Sequence, residues 1–239
     1  MGRAPPDTPG LKRLFGRKRG HKLRAGRAAE LEGRLPDLSP PLDGEGPLDL
    51  RAVFAARGHP VRQARLEIGF GGGEHLLAEA TAHPETGFLG VEPFLNGLAR
   101  AVAETGRLGL ANVLLAGGDA RDLLPRLADG SLARVDLLYP DPWPKARHHK
   151  RRFVSPASVA ELARVIAPGG ELRVASDIPS YVDWTLAHVL GPRVEGAFVF
   201  LAECAADWEH PWAGWPGTRY EAKALREGRV PTYLRFARS

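Results

Sequence analysis

Strand-length apolar runs alternate with longer stretches of helical periodicity, and this order constrains the fold more than any other feature of the chain. The apolar runs lie at 64–70, 87–92, 112–117, 133–139 and 171–176. Helical patterns follow them at about 74–83, 94–107, 120–127, 155–167 and 180–190. Because the strands are apolar on both faces, we predict a parallel sheet with helices on each side, in a doubly wound α/β fold. Ordered structure should begin near Leu48, and the alternating segment VPTYLRF should form an edge strand that closes the sheet.

Size and composition fit one ordinary domain with a sizeable core, since the chain has 239 residues, 44% of them hydrophobic. No apolar run approaches the ~20 residues that a bilayer span needs, and the N-terminus lacks the apolar stretch of a secretory signal. Cys204 is the only cysteine, so a disulfide within the chain and a thiolate metal site are excluded, and we expect it to be a core residue. We predict a cytoplasmic protein, monomeric or homodimeric, without a membrane or metal partner.

Basic charge is confined to two segments, although the net charge is only +5. Residues 1–27 carry a net +8 and the remainder a net −3, yet the run 145–152 holds five Lys or Arg and no acid. This distribution suits a polyanionic partner. Residues 1–46 are rich in Pro, Gly and Arg, and we predict a disordered basic arm there. Contact with nucleic acid, a solvated tail and an organellar transit peptide are all consistent with such an arm.

A glycine-rich turn follows the first predicted strand and leads directly into a helix. Gly69 and Gly71 allow a tight turn and close approach of a ligand, while the helix start supplies unpaired N–H donors. A dinucleotide fingerprint requires glycine at position 74, where this chain has Glu. A second acid, Glu67, precedes the glycines, so the pattern favours a ligand that carries positive charge and no phosphate.

Three acids stand at three successive strand ends: Glu67, Glu92 and Asp119. Glu92 lies where an acid can accept from both hydroxyls of a ribose, and Asp119 follows a Gly-Gly turn where it can meet an adenine amino group. S-adenosylmethionine combines a ribose, an adenine and a cationic sulfonium, and we predict it as the cofactor. Glu92 and Asp119 are also consistent with helix N-caps, because acids are common at that position.

The segment YPDPWPKARHHKRRF follows the fourth strand and combines a stiff acidic loop with the basic run. Prolines on both sides of Asp141 remove backbone donors and keep the chain extended, so the carboxylate is presented rigidly. Trp143 offers a face for base stacking, and the cations that follow can bind phosphates. The competing interpretation is a core tryptophan beside a solvated basic face. His148 and His149 lack further ligands at metal spacing nearby.

Taken in order, the motifs LEIGFGGG, GVEPF, GGDARDLL, YPDPWPKARHHKRR, LARVIAPGGELRVASD and GTRYEAKALREGRVPTYLRF closely resemble the bacterial tRNA (guanine-N7)-methyltransferases. The resemblance covers about residues 48–239, and the proline-flanked Asp-Trp loop is specific to that family, whereas the glycine turn is widespread among methyltransferases. It implies a Rossmann-like class I S-adenosylmethionine-dependent methyltransferase domain over 47–239. It also implies methyl transfer to N7 of a guanine in the variable loop of tRNA.

The resemblance assigns roles to individual residues. Asp141 takes the catalytic position. The expected cofactor contacts are Glu67, Gly69, Gly71, Glu92, Asp119 and Asp141. The expected substrate contacts are Lys145, Asp177, Thr218, Arg219, Tyr220 and Glu221. RNA contact is expected from Arg147, His148, His149, Lys150, Arg151 and Arg152. Thr218 and Glu221 also fit a helix capping box, and Gly228 can end the helix that follows.

Two rival functions remain open at this point. One is an RNA methyltransferase that modifies an exocyclic base amine, because Asp-Pro-Trp is similar to the loop of adenine-N6 methyltransferases. The other is a non-catalytic RNA-binding module that kept the fold. The single proline between Asp141 and Trp143 argues against the first, and intact acids at all four cofactor positions argue against the second.

Overall fold

The computed structural model describes residues 20–44 and 46–239. Its helices are α1 (Ala25–Leu38), α2 (Leu50–Ala56), α3 (Glu74–Ala82), α4 (Leu95–Leu108), α5 (Ala120–Leu123), α6 (Pro156–Val165), α7 (Pro179–Val189), α8 (Ala206–Glu209) and α9 (Arg219–Arg226). Its strands are β1 (Gln63–Ile68), β2 (Thr86–Glu92), β3 (Val113–Gly117), β4 (Leu132–Leu138), β5 (Ile166–Ser176), β6 (Phe198–Phe200) and β7 (Thr232–Arg238). No helix in the described ranges is both long and apolar enough to cross a membrane.

The strands form one sheet in the order β3-β2-β1-β4-β5-β7-β6. The first five strands are mutually parallel, and β7 runs antiparallel between β5 and β6. The order reverses between β1 and β4, and a ligand crevice in such sheets lies outside the carboxyl ends at this reversal. The predicted α/β class with a mostly parallel sheet is confirmed.

Side chains of alternating strand residues pack into two separate hydrophobic cores, one on each face of the sheet. On β3, Leu114 joins the larger core with α2, α5, α6 and α7. Its neighbour Leu115 joins the smaller core with α1, α3 and α4. Because successive side chains of a strand point to opposite faces, a strand buried on both sides must be apolar throughout. This is why five apolar runs predicted the sheet.

Helix α1 corrects the prediction that ordered structure begins near Leu48. Leu31, Leu35 and Leu38 recur at helical spacing and pack into the smaller core, and Gly20 N–H donates to Asn96 Oδ1 at 2.8 Å. The leucine stripe is a helix signal that the surrounding Gly, Pro and Arg obscured. The predicted boundary after residue 46 therefore falls inside a packed unit. Residues 1–19, which carry most of the basic arm, lie outside the described residues.

The C-terminal part contains two further differences from prediction. β7 is an interior strand, because the short strand β6 pairs with its outer side and forms the sheet edge. A three-residue strand carries too little periodicity to be predicted from sequence. Cys204 is exposed and is not a core residue. At the carboxyl end of the sheet, Trp212 and Tyr233 pack with Leu138 and Ala175 beneath the loop that follows β4.

Candidate active site

A cleft of about 190 Å³ opens at the carboxyl ends of β1 to β4. It is lined by Ile68, Gly69, Val91, Glu92, Pro93, Gly118, Asp119, Ala120, Arg121, Leu137, Leu138, Tyr139, Pro140, Asp141, Trp143, Arg151, Phe153 and Tyr220. Three acids and two arginines therefore share one crevice at the reversal of strand order. This is the place where the topology of an open α/β sheet puts a ligand.

The glycine turn after β1 forms one wall of the cleft. Gly69 has φ +72°, which favours glycine, and a Cβ there would meet open space. Behind the turn, the helix α4 approaches so closely that a Cβ on Gly97 would overlap the carbonyl oxygen of Gly71. The turn is thus held by backbone packing, and its Gly69 side remains open to a ligand, whereas its Gly71 side faces side chains of α9.

Glu92, the last residue of β2, binds this turn from inside the cleft. Its carboxylate accepts from Gly71 N–H at 2.6 Å and from Phe94 N–H at 2.8 Å. The side chain is 6% exposed, and this burial, only partly offset by those hydrogen bonds, raises the pKa of Glu92 to about 7. Arg219 and Asp141 both act on Glu92 electrostatically, in opposite directions. Glu92 therefore joins the end of β2 to the glycine turn within the cleft.

Asp119 lines the cleft and also caps α5. Its carboxylate accepts from Arg121 N–H at 3.0 Å, and the Arg121 guanidinium binds it through Nε and Nη2, the latter at 2.6 Å. Asp119 is thus a helix N-cap, as the alternative interpretation had it, and it also lines the cleft. Arg121, two residues after Asp119, was not predicted as a site residue, and it neutralises part of the acidity expected from the sequence.

Glu67 corrects the predicted set of three cleft acids. It lies inside β1, is 4% exposed, and its Oε2 is 2.7 Å from Nδ1 of His75 on α3. Burial acts to lower the pKa of His75, but the adjacent Glu67 carboxylate outweighs it and raises that pKa. The His75 ring lies 5.1 Å from the ring of Trp215. Glu67 is therefore committed to a buried pair beneath the site, and neither His75 nor Trp215 was predicted.

The loop after β4 holds Asp141 at the rim of the cleft between two strained residues. Tyr139 has φ +49° and Trp143 has φ +42°, and side chains other than glycine seldom adopt this region. Tyr139 N–H donates to the carbonyl of Ala175 at 2.8 Å. Asp141 is exposed, yet the walls remove part of its hydration and raise its pKa. The rigid presentation predicted from the prolines is thus reinforced by a backbone that tertiary contacts hold in place.

The basic run forms a short 3₁₀ helix over Ala146–Arg151, and its side chains fall into three groups. Lys145, Arg147 and Lys150 are exposed. His148 and His149 are half-buried, with their rings edge-on to Trp143 and Trp184 respectively. Arg151 lies over the Trp143 ring at 4.9 Å and lines the cleft. The exposed group is the part of the run that is free to meet phosphates.

Arg152 departs from the predicted RNA-contact set, because it is only 2% exposed. Its Nε donates to the carbonyl of Pro142 at 2.8 Å, and the guanidinium lies beside the Tyr181 and Trp184 rings. The sequence presented it as one more cation in a polar run. Only the packing of α7 against the loop turns this side chain inward.

Thr218 and Glu221 form the capping box of α9, as the sequence allowed. Glu221 also accepts from Trp215 Nε1 at 2.8 Å and from the Tyr233 hydroxyl. Its carboxylate is thereby committed to the fold, which differs from the expected contact with a guanine edge. Gly228, at φ +73°, follows the end of the helix.

The neighbouring residues of α9 face the glycine turn. The terminal atoms of Arg219 and Tyr220 lie within 3.3 Å of where a Cβ on Gly71 would stand, and Tyr220 lines the cleft. Asp177, at the end of β5, binds Arg229 Nε at 2.5 Å. Of the predicted substrate residues, the structure thus brings Tyr220 to the cleft, Arg219 to the turn beside it and Lys145 to the exposed loop. Asp177 is instead engaged in an ion pair.

Within residues 20–44 and 46–239, no three His, Cys, Asp or Glu side chains are grouped closely enough to hold a metal ion. Carboxylates, guanidinium groups and aromatic rings line the cleft. Glu92 and Asp119 stand at the ends of β2 and β3, whereas Trp143 and the exposed cations stand on the loop after β4. Such a division suits a cationic ligand inside and an anionic one outside.

Comparison with known proteins places the chain among methyltransferases. A family model described as "Putative methyltransferase" matches residues 62–233. A tRNA (guanine-N(7)-)-methyltransferase of Mesorhizobium japonicum is 51% identical over 237 residues, which cover 98% of this chain and 99% of the relative. The enzymes of that name from Chelativorans sp. and Rhizobium meliloti are 52% and 50% identical, each over 94–95% of both chains.

Solved structures agree with the fold. The antibiotic-resistance methyltransferase Kmr is 20% identical with a TM-score of 0.53, covering 79% of this chain and 92% of its own. The 16S rRNA methyltransferase KamB is 20% identical with a TM-score of 0.54, covering 82% and 95%. At this identity the likeness supports a class I methyltransferase fold and nothing finer. With half of its residues shared along nearly the whole length of those relatives, the chain belongs to the bacterial tRNA (guanine-N7)-methyltransferase family.

Proposed function

We propose that this protein transfers a methyl group from S-adenosylmethionine to N7 of a guanine in the variable loop of tRNA. The observation that carries the proposal is 50–52% identity, over 94–98% of this chain, with relatives named for guanine-N7 methylation of tRNA. A tRNA substrate and a single cysteine both fit a cytoplasmic enzyme. The rival RNA-binding module and the exocyclic-amine enzyme lack a supporting observation of this kind.

The residues at the cleft fit S-adenosylmethionine, which supplies a methyl group on a cationic sulfonium. Because the space beside Gly69 is empty, part of the cofactor can lie directly against the turn. Glu92 accepts only one backbone N–H on each oxygen, so its remaining lone pairs are available to ribose hydroxyls. Asp119 also lines the cleft, and we assign it to the adenine amino group. The three acids that line the cleft, Glu92, Asp119 and Asp141, favour binding of the cationic cofactor over its neutral product.

The outer rim of the cleft fits RNA. Lys145, Arg147 and Lys150 project into solvent on the same loop that carries Asp141. Phosphate binding by such cations releases counterions and gives salt-dependent affinity without reading sequence. Trp143 and Tyr220 line the cleft, where their rings can stack on an unstacked base. In an A-form duplex the deep groove hides N7, so the target guanine must lie in an irregular region.

Positioning dominates the proposed mechanism. N7 of guanine has an in-plane lone pair, so attack on the methyl carbon requires no proton removal and no general base. The protein must hold the nucleophile, carbon and sulfur in line, which can correspond to an effective molarity of ~10⁵ M or more. Positive charge moves onto the purine as the carbon-sulfur bond breaks. Asp141, on its stiff loop at the rim, stabilises that charge electrostatically.

Replacement of Asp141 by Asn tests this role, because it removes the charge and keeps the shape of the side chain. We expect kcat to fall by about 100-fold or more, with the Kd for tRNA changed by no more than about twofold. Single-turnover assays on unmodified tRNA and filter binding measure the two quantities. Nucleoside mass spectrometry of the wild-type product must show 7-methylguanosine. A methylated exocyclic amine would support the rival enzyme, and an active Asp141→Asn variant would remove Asp141 from the catalytic role.

A further inference from the structure

Arg152 is a buried cation within an otherwise solvated basic run. It is 2% exposed, whereas Arg147 and Lys150 in the same run are exposed. Burying a guanidinium is costly unless its donors and charge are compensated, and this burial lowers the pKa of Arg152. Within the described residues, no carboxylate forms an ion pair with it. The fold therefore retains this charge for a reason other than pairing with an acid.

Carbonyl oxygens and aromatic rings compensate the guanidinium in part, because Nε and Nη1 have hydrogen-bond partners and the buried Nη2 has none within the described part of the chain. Nε donates to Pro142 O at 2.8 Å, and Nη1 donates to Ser180 O at 3.2 Å. Its central carbon lies 5.3 Å from the ring centre of Tyr181 and 5.0 Å from that of Trp184, within cation-π range. Arg152 thus joins the loop after β4 to the first turns of α7.

The α7 side of this connection is firmly anchored. Trp184 donates through Nε1 to the carbonyl of Val154 at 2.8 Å, and its ring stacks on His188 at 4.1 Å. The Tyr181 side chain is fully buried in the larger core. A hydrogen bond from Arg152 to the loop therefore transfers the rigidity of α7 and the core to the loop.

The loop side of the connection is the carbonyl next to Asp141. Pro140 and Pro142 have no N–H to donate, so this part of the loop has few backbone hydrogen bonds of its own. The unfavourable φ angles of Tyr139 and Trp143 persist only if surrounding contacts impose them. The Pro142 carbonyl lies between these constraints, one residue after Asp141. A donor fixed at that carbonyl determines where the Asp141 carboxylate stands.

We propose that Arg152 is a positioning residue for methyl transfer, which holds the Asp141 loop against α7 and does not contact RNA. This inference rests on the proposed function for its kinetic consequence, while the structural connection stands apart from it. Loss of the connection should displace Asp141 without removing charge from the exposed rim. The effect then falls on kcat and not on the affinity for tRNA.

Arg152→Met tests the proposal, because methionine fills the space beside the two rings and removes both donors. Replacing a buried charge by an apolar side chain is often tolerated, so we expect the variant to fold. We expect kcat at saturating tRNA and cofactor to fall by about 10- to 100-fold, since displacements near 1 Å can cost that much. The KM for tRNA and its salt dependence should stay within about twofold of wild type.

Arg152→Lys and Arg147→Met provide the matched comparisons. Lysine can donate to one of the two carbonyls, so kcat should lie between the Met variant and wild type. Arg147→Met removes an exposed cation from the same run and should raise the KM for tRNA, with a salt slope reduced by about one. A fall in kcat at Arg152 and a rise in the KM for tRNA at Arg147 would distinguish a positioning role from phosphate contact.

Limited trypsin digestion gives a readout that does not depend on catalysis. In Arg152→Met we expect faster cleavage after Lys145, Arg147 or Lys150, with an unchanged melting temperature, because only the loop is released. If the wild-type protein lacks guanine-N7 activity and Arg152→Met is still cleaved faster than wild type, the proposed function is refuted and the connection stands. Wild-type kcat in either folded Arg152 variant would overturn the positioning role. A reduced salt slope in Arg152→Met would show that Arg152 contacts RNA.

Discussion

Glu67 and Glu92 are two buried glutamates at the ends of neighbouring parallel strands, and the fold uses them in opposite ways. Glu67 lies inside β1 and pairs with His75 beneath the sheet surface. Glu92 is the last residue of β2, lines the cleft and accepts from the glycine turn. Both are almost inaccessible to solvent, at 4% and 6% exposure. Burial alone therefore does not distinguish an acid that supports the site from one that forms it.

The difference follows from one step along a strand. Ile68 lies between Glu67 and the turn, and alternation along β1 sends the Glu67 side chain towards α3. β2 ends at Glu92 itself, where the chain leaves the sheet and the side chain can turn into the crevice. A shift of one residue relative to the strand end separates an acid that lines the cleft from one that forms a buried pair. Experiments on both glutamates test whether these two roles are as separate as the geometry indicates.

The largest expected effect is on stability, from Glu67→Ala. This change leaves His75 buried without its carboxylate, and the loss of one partner of a buried pair costs about 3 kcal/mol of unfolding free energy. In the fraction that folds, we expect affinity for S-adenosylmethionine to stay within about threefold. Urea unfolding and calorimetry measure the two quantities. Glu67→Gln, which keeps an acceptor for His75, is the matched control and should be milder. A stable variant with greatly weakened cofactor binding would show that Glu67 contacts the cofactor.

The next effect, on binding, comes from Glu92→Gln. The amide offers one acceptor to the two N–H groups of Gly71 and Phe94, and it removes a negative charge from the cleft. We expect cofactor affinity to fall by about 10- to 100-fold, because hydrogen bonds to charged groups contribute about 1.5–3 kcal/mol. Calorimetry in the same buffer as for Glu67→Gln allows direct comparison. Equal losses in the two variants would abolish the distinction between the two glutamates.

The smallest effect is a pH dependence that Glu92 should confer. Its pKa of about 7 lies above the ordinary value of 4.5, and a cationic ligand favours the ionised form. Binding should therefore tighten by about tenfold between pH 6 and pH 8 and release protons. Calorimetry in two buffers of different ionisation enthalpy detects that release, and Glu92→Gln should flatten the profile. A flat wild-type profile would contradict the assignment.

Folding is linked to the same proton. Between pH 4.5 and 7 the folded protein binds more protons at Glu92 than the unfolded chain does. The contribution of Glu92 to the unfolding free energy therefore falls as the pH rises through this window. Urea unfolding at several pH values, compared with Glu92→Gln, measures the slope.

The elements of the parallel sheet were predictable because each needs a long and consistent pattern. The predicted run 87–92 corresponds to Thr86–Glu92, and the predicted helix 94–107 to Leu95–Leu108. The three-residue strand β6 lacks such a pattern, and the leucine stripe of α1 is interrupted by two glycines and a proline, which have low helix propensity. The position of β7 inside the sheet depends on its pairing with β6. Because β6 was not predicted, β7 was wrongly predicted as the edge strand.

The sequence predicted where a side chain lies when chain position fixes it, and not when packing fixes it. Asp141, Glu92 and Asp119 follow strands directly, so topology alone brings them to one crevice. The inward turn of Arg152 depends on α7, which lies 27 residues or more further along the chain. Glu221 is likewise committed by Trp215 and Tyr233, which no local pattern connects to it.

By itself, the sequence determined the parallel sheet, the glycine turn, the acids at the strand ends and the stiff acidic loop with its basic run. These features depend on periodicity and on residues adjacent in the chain. The tertiary structure decided which acid lines the cleft and which is buried beneath it, and which arginine faces solvent and which turns inward to the Pro142 carbonyl. The physical reason is that side-chain direction and burial are set by distant segments packing together, and a local sequence pattern does not contain that information.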